Sequence, residues 1–454
     1  MLKKYQDLSL RAFSAKQSVI AGSSRAPVIA SSSRAPVIAS VFREAISARL
    51  LRRGRTLLAM TEPVIASVLL LAACGRTTDN SMTTTLLEEA KLKFAPDHRT
   101  AVFDVSGDLA GNTLTLKGRV QDSVMKDQLL RYVRAKTRYS VADSIVALPA
   151  SSVGEKVFGV VDVSVANLRT RPDHPAEMAS QSIMGTPVKI LNKEHGWYLV
   201  QTPDEYLGWT NDRIVRMAPD RYAAWASQPK MIVTAAVTWV RSAREKNAQP
   251  VSDVVAGAIL ASRGVEGGWW DVEYPDGRRG FLPRDEAEPM DAWLAGAHDT
   301  PERIIATAKR FFGVPYLWGG TSAKGMDCSG FTKTVYYLNG VLLPRDADQQ
   351  SRVGDSVEIP AGKLNLKPGD LLFFGKHATA DSAAKVSHIA ISLGGARFIH
   401  SSSDVHINSL DPADPDFSDF RAVSFLGARR IIGAGESSGV RRLATIPYYK
   451  ANEH

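Results

Sequence analysis

Apolar positions change their spacing several times along the chain, and each change predicts a different packing unit. Val102, Asp104 and Ser106 alternate with Phe103, Val105 and Gly107, and residues 114–120 (LTLKGRV) keep the two-residue period of a half-buried strand. Between Gln121 and Thr137 the spacing lengthens, with Met125, Leu129, Tyr132 and Val133 on one helical face. Residues 86–150 are therefore expected to form a small α/β module, in which no residue demands chemistry. Short β-rich runs cut by Gly, Pro and Asp turns follow over 156–218 and again over 230–290, predicting two small β-barrels.

Longer periods return after residue 300. Pro301–Phe312 places Ile304, Ile305, Ala308 and Phe312 on one side of a helix, and Phe331, Val335 and Leu338 recur at helical spacing in a second helix that opens at Cys328. Strands follow at 369–374, 386–393 and from Arg397. The expected fold class is α+β and multidomain, with a catalytic-sized unit over 300–437 and a tail over 438–454.

Composition narrows the function classes. A chain of 454 residues with 44% hydrophobic and 23% charged positions builds several cores and is neither fibrous nor disordered. The formal charge of +9 suggests an anionic partner until it is located. Residues 1–73 hold 11 Lys/Arg against Asp7, Glu44 and Glu62, a net of +8 that leaves +1 for the rest. No basic stripe remains for nucleic acid.

Two cysteines exclude a disulfide scaffold, and each needs its own explanation. Cys74 ends the apolar run 64–73, which follows Arg49, Arg52, Arg53 and Arg55. A bilayer span takes about 20 residues, so the run suits the hydrophobic region of a secretory signal instead. LAACG at 71–75 resembles the lipobox of bacterial lipoproteins. Cys74 is then the expected lipidation site, 1–73 a low-complexity region with signal peptide, and 74–85 a linker. SSRAPVIAS at 23–31 recurs unchanged at 32–40; it is too short for a solenoid unit and is given no packing role.

Cys328 lies at a helix start, where free N–H groups and the helix dipole lower a thiol pKa and can receive an oxyanion. His388 stands opposite Ile389, Ile391 and Leu393 on one strand, and His400 ends the next. Adjacent antiparallel strands would set His388 beside Cys328 and His400 behind it, in the order nucleophile, base, orienting group. A zinc site made from the three lacks any CxxC or HExxH spacing, so neither metal nor organic cofactor is expected. His377 falls in a polar loop, and His98 and His406 lack convincing partners.

PYLWGG at 315–320, DCSGF at 327–331, SHIAI at 387–391 and FIH at 398–400 resemble, in that order, the NlpC/P60 family of bacterial cell-wall cysteine peptidases. The resemblance implies a papain-like core over 300–437, with Cys328 as nucleophile, His388 as general base and His400 as orienting residue. Residues 156–218 and 230–290 resemble bacterial SH3 (SH3b) domains, and 86–150 is faintly similar to a BON domain. The order of modules is similar to YkfC-type endopeptidases, which cleave between γ-D-glutamate and a diamino acid, diaminopimelate or lysine, in stem peptides with a free N-terminal L-alanine.

That likeness implies that Tyr206 and Asp346 hold the alanine's ammonium, with Glu177 a second acid and Arg345, Asp327, Ser329 and Trp318 lining the site. Ala347 stands where the related pattern commonly has Ser. The expected protein is thus a monomeric, lipid-anchored envelope enzyme acting on peptides derived from peptidoglycan during murein recycling. A hydrolase of intact peptidoglycan and a non-catalytic wall-binding lipoprotein are the alternatives.

Overall fold

A computed structural model describes residues 81–211, 213–296, 299–360, 364–447 and 449. Cys74 and the low-complexity region lie outside the described residues. Among those described, no helix is long and apolar enough to cross a membrane.

The N-terminal module opens with a helix over 81–94, followed by a sheet in which Thr113–Val120 pairs antiparallel with Phe103–Ala110 and parallel with Ser140–Ala147. The parallel pairing requires a crossover, supplied by the helix Ser123–Lys136. Asp122 caps that helix by accepting the Met125 N–H at 2.8 Å, and its buried stripe of Leu129, Leu130 and Val133 packs on Leu114, Leu116 and Ile145.

Two barrels follow, with first strands Phe158–Val161 and Lys230–Val233. Each has seven strands, and in both the order across the sheet is third, second, sixth, fifth, fourth, first, seventh. One topology is therefore used twice. Asp162 of the first barrel, 2% exposed, pairs with Arg278 of the second at 3.1 Å, and Arg213 of the first pairs with Asp276 of the second at 2.7 Å.

In the last domain the helix Cys328–Tyr337 packs its Phe331, Val335 and Tyr336 against an antiparallel six-stranded sheet. Across the sheet the strands run Asp355–Val357, Phe425–Arg430, Leu371–Lys376, Lys385–Gly394, Arg397–Ser401, Val405–Ser409. Ile389, Ile391 and Ile399 meet the helix; Ala390 and Phe398 face a second apolar layer with Leu372 and Phe374. Both faces are thus covered. Burying a side chain the size of Phe331 contributes about 1.5–3 kcal/mol.

Residues 438–447 are packed rather than a free tail. Arg441–Arg442 pairs with Val341–Leu342, and the fully buried Leu443 joins Ile446, Met290, Trp293, Ile232 and Ile259 in one cluster. The segment staples the second barrel to the last domain because its apolar side chains recur just where those two surfaces meet. Leu443→Ala is expected to cost about 2–5 kcal/mol, seen as a lower thermal midpoint; an unchanged midpoint would show the segment to be dispensable.

Candidate active site

Asp327 is the N-cap of the helix that begins at Cys328. Its Oδ1 accepts the Gly330 N–H at 2.7 Å and its Oδ2 the Gly319 N–H at 2.9 Å. The glycines of both motifs are dictated by close approach. A Cβ on Gly330 would lie 2.0 Å from the Gly320 carbonyl oxygen. Gly319, at φ +79°, has the Met178 carbonyl oxygen of the first barrel 2.3 Å from where its Cβ would be.

Arg345 sits behind this turn. Its Nη2 reaches Asp327 Oδ2 at 2.6 Å, Nη1 reaches Ser329 Oγ at 2.9 Å, and Nε reaches Ser180 Oγ of the first barrel at 3.1 Å. At 1% exposure it does not line the site, contrary to what the resemblance implied. It is a buried buttress, because Asp327 would otherwise be an unpaired carboxylate out of water.

The Cys328 side chain is buried, and the backbone N–H groups of Ile389 and Ser329 favour its thiolate against that burial. Since Ile389 follows His388, the nucleophile helix meets its neighbouring strand at the His388 end. The lowered thiol pKa expected of a helix start is not found: burial, then the Asp327 carboxylate, push the thiol up to about 11 against the two N–H groups and Arg345. The cap that stabilises the helix is itself an anion beside the sulfur, and it offsets the dipole.

Hydrogen bonds assign protons along the groups behind the sulfur. Asn408 Nδ2 donates to the Asp416 carbonyl at 3.3 Å, which turns its Oδ1 toward His400 Nε2 at 3.0 Å. An acceptor there requires the hydrogen on Nε2 of His400 and leaves Nδ1 bare. That Nδ1 accepts the Nε2–H of His388 at 2.7 Å. Nδ1 of His388 is then the free basic nitrogen of that ring.

Both imidazoles rest neutral. Burial, then Arg421, His400 and His406, hold His388 well below its ordinary 6.5, and burial, then Arg421 and His406, bring His400 to about 3. Thiolate and imidazolium are each penalised alone, so a single proton transfer that creates both together is the favourable route to a nucleophile.

A cavity of about 360 Å³ opens over the sulfur and is walled by three modules. The last domain contributes Tyr316, Trp318, Asp327, Ser329 and Asp346, the first barrel Glu177 and Tyr206, and the N-terminal module His98 and Arg99. Tyr206 is buried, yet its hydroxyl reaches Asp346 Oδ2 at 3.1 Å; Trp318 Nε1 donates to Glu177 at 2.8 Å. No group of three or more His, Cys, Asp or Glu among the described residues is placed to hold a metal.

Several of these residues carried no role in the sequence reading. Burial, then Cys328 and Asp327, keep the Tyr316 phenol protonated, a donor beside the sulfur. Its signal was its place in PYLWGG. Asn408 is marked only by the two-residue period from His406 in the strand Val405–Ser409. His406, expected to be unpartnered, has Nε2 3.2 Å from His400 Nε2 and Nδ1 2.8 Å from Asp404 Oδ1. The N-terminal module, expected to be inert, supplies His98 and Arg99 to the cavity wall.

Asn408→Ala frees the His400 tautomer and is expected to lower kcat about 10- to 100-fold, part of the 10²–10⁴ a positioned base contributes, while Asn408→Asp keeps an acceptor and retains more activity. Unchanged kcat in both variants would remove Asn408 from the relay. Because the folded state lowers the His388 pKa, its basic form persists as pH falls through 6.5. A kcat profile flat through pH 6.5, with its acid limb lower, is therefore expected, and a limb at the ordinary histidine value would contradict a neutral resting pair.

Comparison with known proteins agrees with this geometry. Residues 313–420 match the NlpC/P60 family and residues 168–212 the bacterial dipeptidyl-peptidase Sh3 domain. The chain is 29% identical over 280 residues to gamma-D-glutamyl-L-lysine dipeptidyl-peptidase of Bacillus subtilis, covering 52% of this chain and 88% of that one. It is 28% identical over 266 residues to dipeptidyl-peptidase 6 of Lysinibacillus sphaericus, covering 56% and 93%. A crystal structure of an NlpC/P60 family protein from Bacillus cereus shares the fold, with TM-score 0.52 and 24% identity over 61% of this chain and 99% of the other. Motifs, fold and matches converge on one statement: residues 313–420 form an NlpC/P60 family domain, with a bacterial dipeptidyl-peptidase Sh3 domain over 168–212 ahead of it.

Proposed function

We propose that the chain is an endopeptidase that hydrolyses the bond between γ-D-glutamate and the following diamino acid in peptidoglycan stem peptides whose L-alanine has a free amino group. The observation that carries the reading is the Tyr206–Asp346 hydrogen bond at 3.1 Å, in the same cavity as Cys328. A carboxylate and a phenol from two domains suit an ammonium, and such a group left unpaired by an acylated end costs about 1–3 kcal/mol. The bond named in the Bacillus subtilis relative, gamma-D-glutamyl-L-lysine, supports the same cleavage position.

In this reading His388 Nδ1 takes the proton of Cys328, and the sulfur attacks the γ-carbonyl carbon. The Cys328 N–H, first of its helix and without an intrahelical acceptor, and the Tyr316 hydroxyl receive the oxyanion. Imidazolium returns its proton to the leaving amine, and the same nitrogen then activates the water that cleaves the thioester. We place the enzyme in the cell envelope as a monomer tethered through a lipid on Cys74, trimming released peptides for recycling. The apolar run that ends in LAAC supports that placement.

Mass spectrometry of products from L-Ala-γ-D-Glu-diaminopimelate and its N-acetylated twin tests the reading. The free peptide is expected to release L-Ala-γ-D-Glu, with the acetylated one about 5- to 150-fold slower. Cys328→Ala should leave only background hydrolysis. Equal rates on the two peptides would reject the amine subsite, and an intact free peptide would reject the reaction.

A further inference from the structure

The loop at 97–100 of the N-terminal module enters the peptidase cavity, although the module stands apart in sequence from the domains that carry the chemistry. Arg99 is the residue that reaches deepest. Its Nη1 donates to Asp346 Oδ2 at 2.9 Å and to Asp348 Oδ1 at 2.7 Å, and its Nη2 to Asp348 Oδ2 at 2.8 Å. Nε and Nη2 donate to the two oxygens of Asp97, at 2.8 and 2.7 Å. A guanidinium has five N–H donors, and all five are used here. Arg99 has none left for a substrate.

The backbone of the same residue holds the other half of the subsite. The Arg99 carbonyl accepts the Leu207 N–H at 2.7 Å, one residue from Tyr206, and the Thr100 carbonyl accepts Gln201 Nε2 at 2.9 Å. Gln349 Nε2 donates to Asp97 at 2.8 Å and fixes the loop to the turn after Asp346. One residue thus spaces Tyr206 and Asp346, which come from different domains.

Resting on the reading that Asp346 receives the substrate's amine, we propose that Arg99 is a positioning residue of that subsite, which makes the N-terminal module part of the enzyme's end-recognition. Two readings of the contact compete: a support behind Asp346, or a plug that the incoming ammonium displaces. Displacement would break the three charge-assisted bonds to Asp346 and Asp348 together with the Gln349–Asp97 and Leu207–Arg99 bonds that anchor the loop, and an ammonium arriving at Asp346 would not restore those at Asp348. Charge agrees with support. Asp97, Asp346 and Asp348 surround one guanidinium, Arg352 reaches Asp348 from an exposed position, and Arg345 beside Asp346 is itself paired with Asp327, so four carboxylates face three cations. The site keeps its attraction for an amine with Arg99 in place.

Asp346 is faced by Arg99 from the N-terminal module, by Tyr206 from the first barrel, by Arg345 beside it and by Asp348 from the following turn. Burial raises its pKa, and Arg345, Arg99 and Tyr206 oppose the rise. Removing Arg99 therefore lets Asp346 protonate at higher pH.

The test is steady-state kinetics of the full-length Arg99→Met and Arg99→Lys variants on L-Ala-γ-D-Glu-diaminopimelate and its N-acetylated form. Arg99→Met is expected to raise KM for the free peptide about tenfold with kcat within about twofold, and to move the acid limb of kcat/KM to higher pH. Its rate on the acetylated peptide should not change, and Arg99→Lys should recover part of the lost affinity. A fall in KM would identify a plug and overturn the proposal, as would an unchanged KM and pH profile. Should Arg99→Met fail to fold, Asp97→Asn loosens Arg99 without touching Asp346; a smaller rise in KM is expected, and none would overturn the proposal. Wild-type enzyme that treats both peptides alike would reject the underlying subsite instead, so the two failures are told apart.

Discussion

The buried pair of Asp327 and Arg345 is the constraint on which the active site depends. Asp327 caps the nucleophile helix and holds the Gly319 turn, while Arg345 closes the pair and touches Ser180 of the first barrel. Breaking such a pair by removing one partner costs about 3–5 kcal/mol, because a charge is left buried alone. Its position in sequence matters as much as its energy. Asp327 precedes Cys328 and Arg345 precedes Asp346, so one ion pair fixes both the residue that attacks and the residue at the far end of the cleft. A shift in this pair would move reaction centre and end-recognition together.

The same pair sets the resting electrostatics. A carboxylate at the N-cap stabilises the helix but raises the adjacent thiol, and burial does the rest. On the other side, Arg421 adds to the burial that keeps His388 neutral. Both effects favour a thiol and an imidazole over a standing ion pair. Chemistry then waits for a carbonyl to be placed against the sulfur, the part that the proposed amine subsite would play in the three-walled cavity.

What could be read from sequence was whatever a local pattern encodes. Cys328 followed by Phe331, Val335 and Leu338 predicts a helix with its thiol at the start, and the alternation around His388 and His400 predicts neighbouring strands with both histidines near one end; the register that brings them within 2.7 Å belongs to the sheet. Tyr206 and Asp346, 140 positions apart, were legible only through resemblance, since nothing local says that a barrel turn faces a helix start. The thiol pKa was misjudged because the helix dipole is a sequence-level inference, whereas burial and the side-chain rotamer of Asp327 are tertiary. Arg99 was invisible for the same reason: a single Arg in a loop carries no period, and three of its five bonds reach positions 247 and 249 residues away.

The paired barrels show how one local structure acquires two roles. Aligning the strands Trp197–Gln201 and Trp269–Glu273 sets Pro203-Asp204-Glu205-Tyr206 of the first barrel over Pro275-Asp276-Gly277-Arg278 of the second. The turns share their geometry. Glu205 and Gly277 have φ of +69° and +90°, and each donates its N–H to the carbonyl three residues earlier, at 2.8 and 3.0 Å. A non-glycine residue at such a φ is uncommon and is held here by its surroundings. Where the first barrel carries Tyr206, directed at Asp346, the second carries Arg278, which Asp276 orients within the turn and whose bond to Asp162 joins barrel to barrel. The preceding acids diverge likewise: Asp204 pairs with the buried Lys333 of the nucleophile helix at 2.8 Å, and Asp276 with Arg213. A turn that protrudes from a rigid barrel can meet either a cleft or a neighbouring barrel, and the side chain at its last position decides which. Only the first copy borders the cavity that holds Cys328, so the duplication supplies one cavity wall and one structural brace from a single fold.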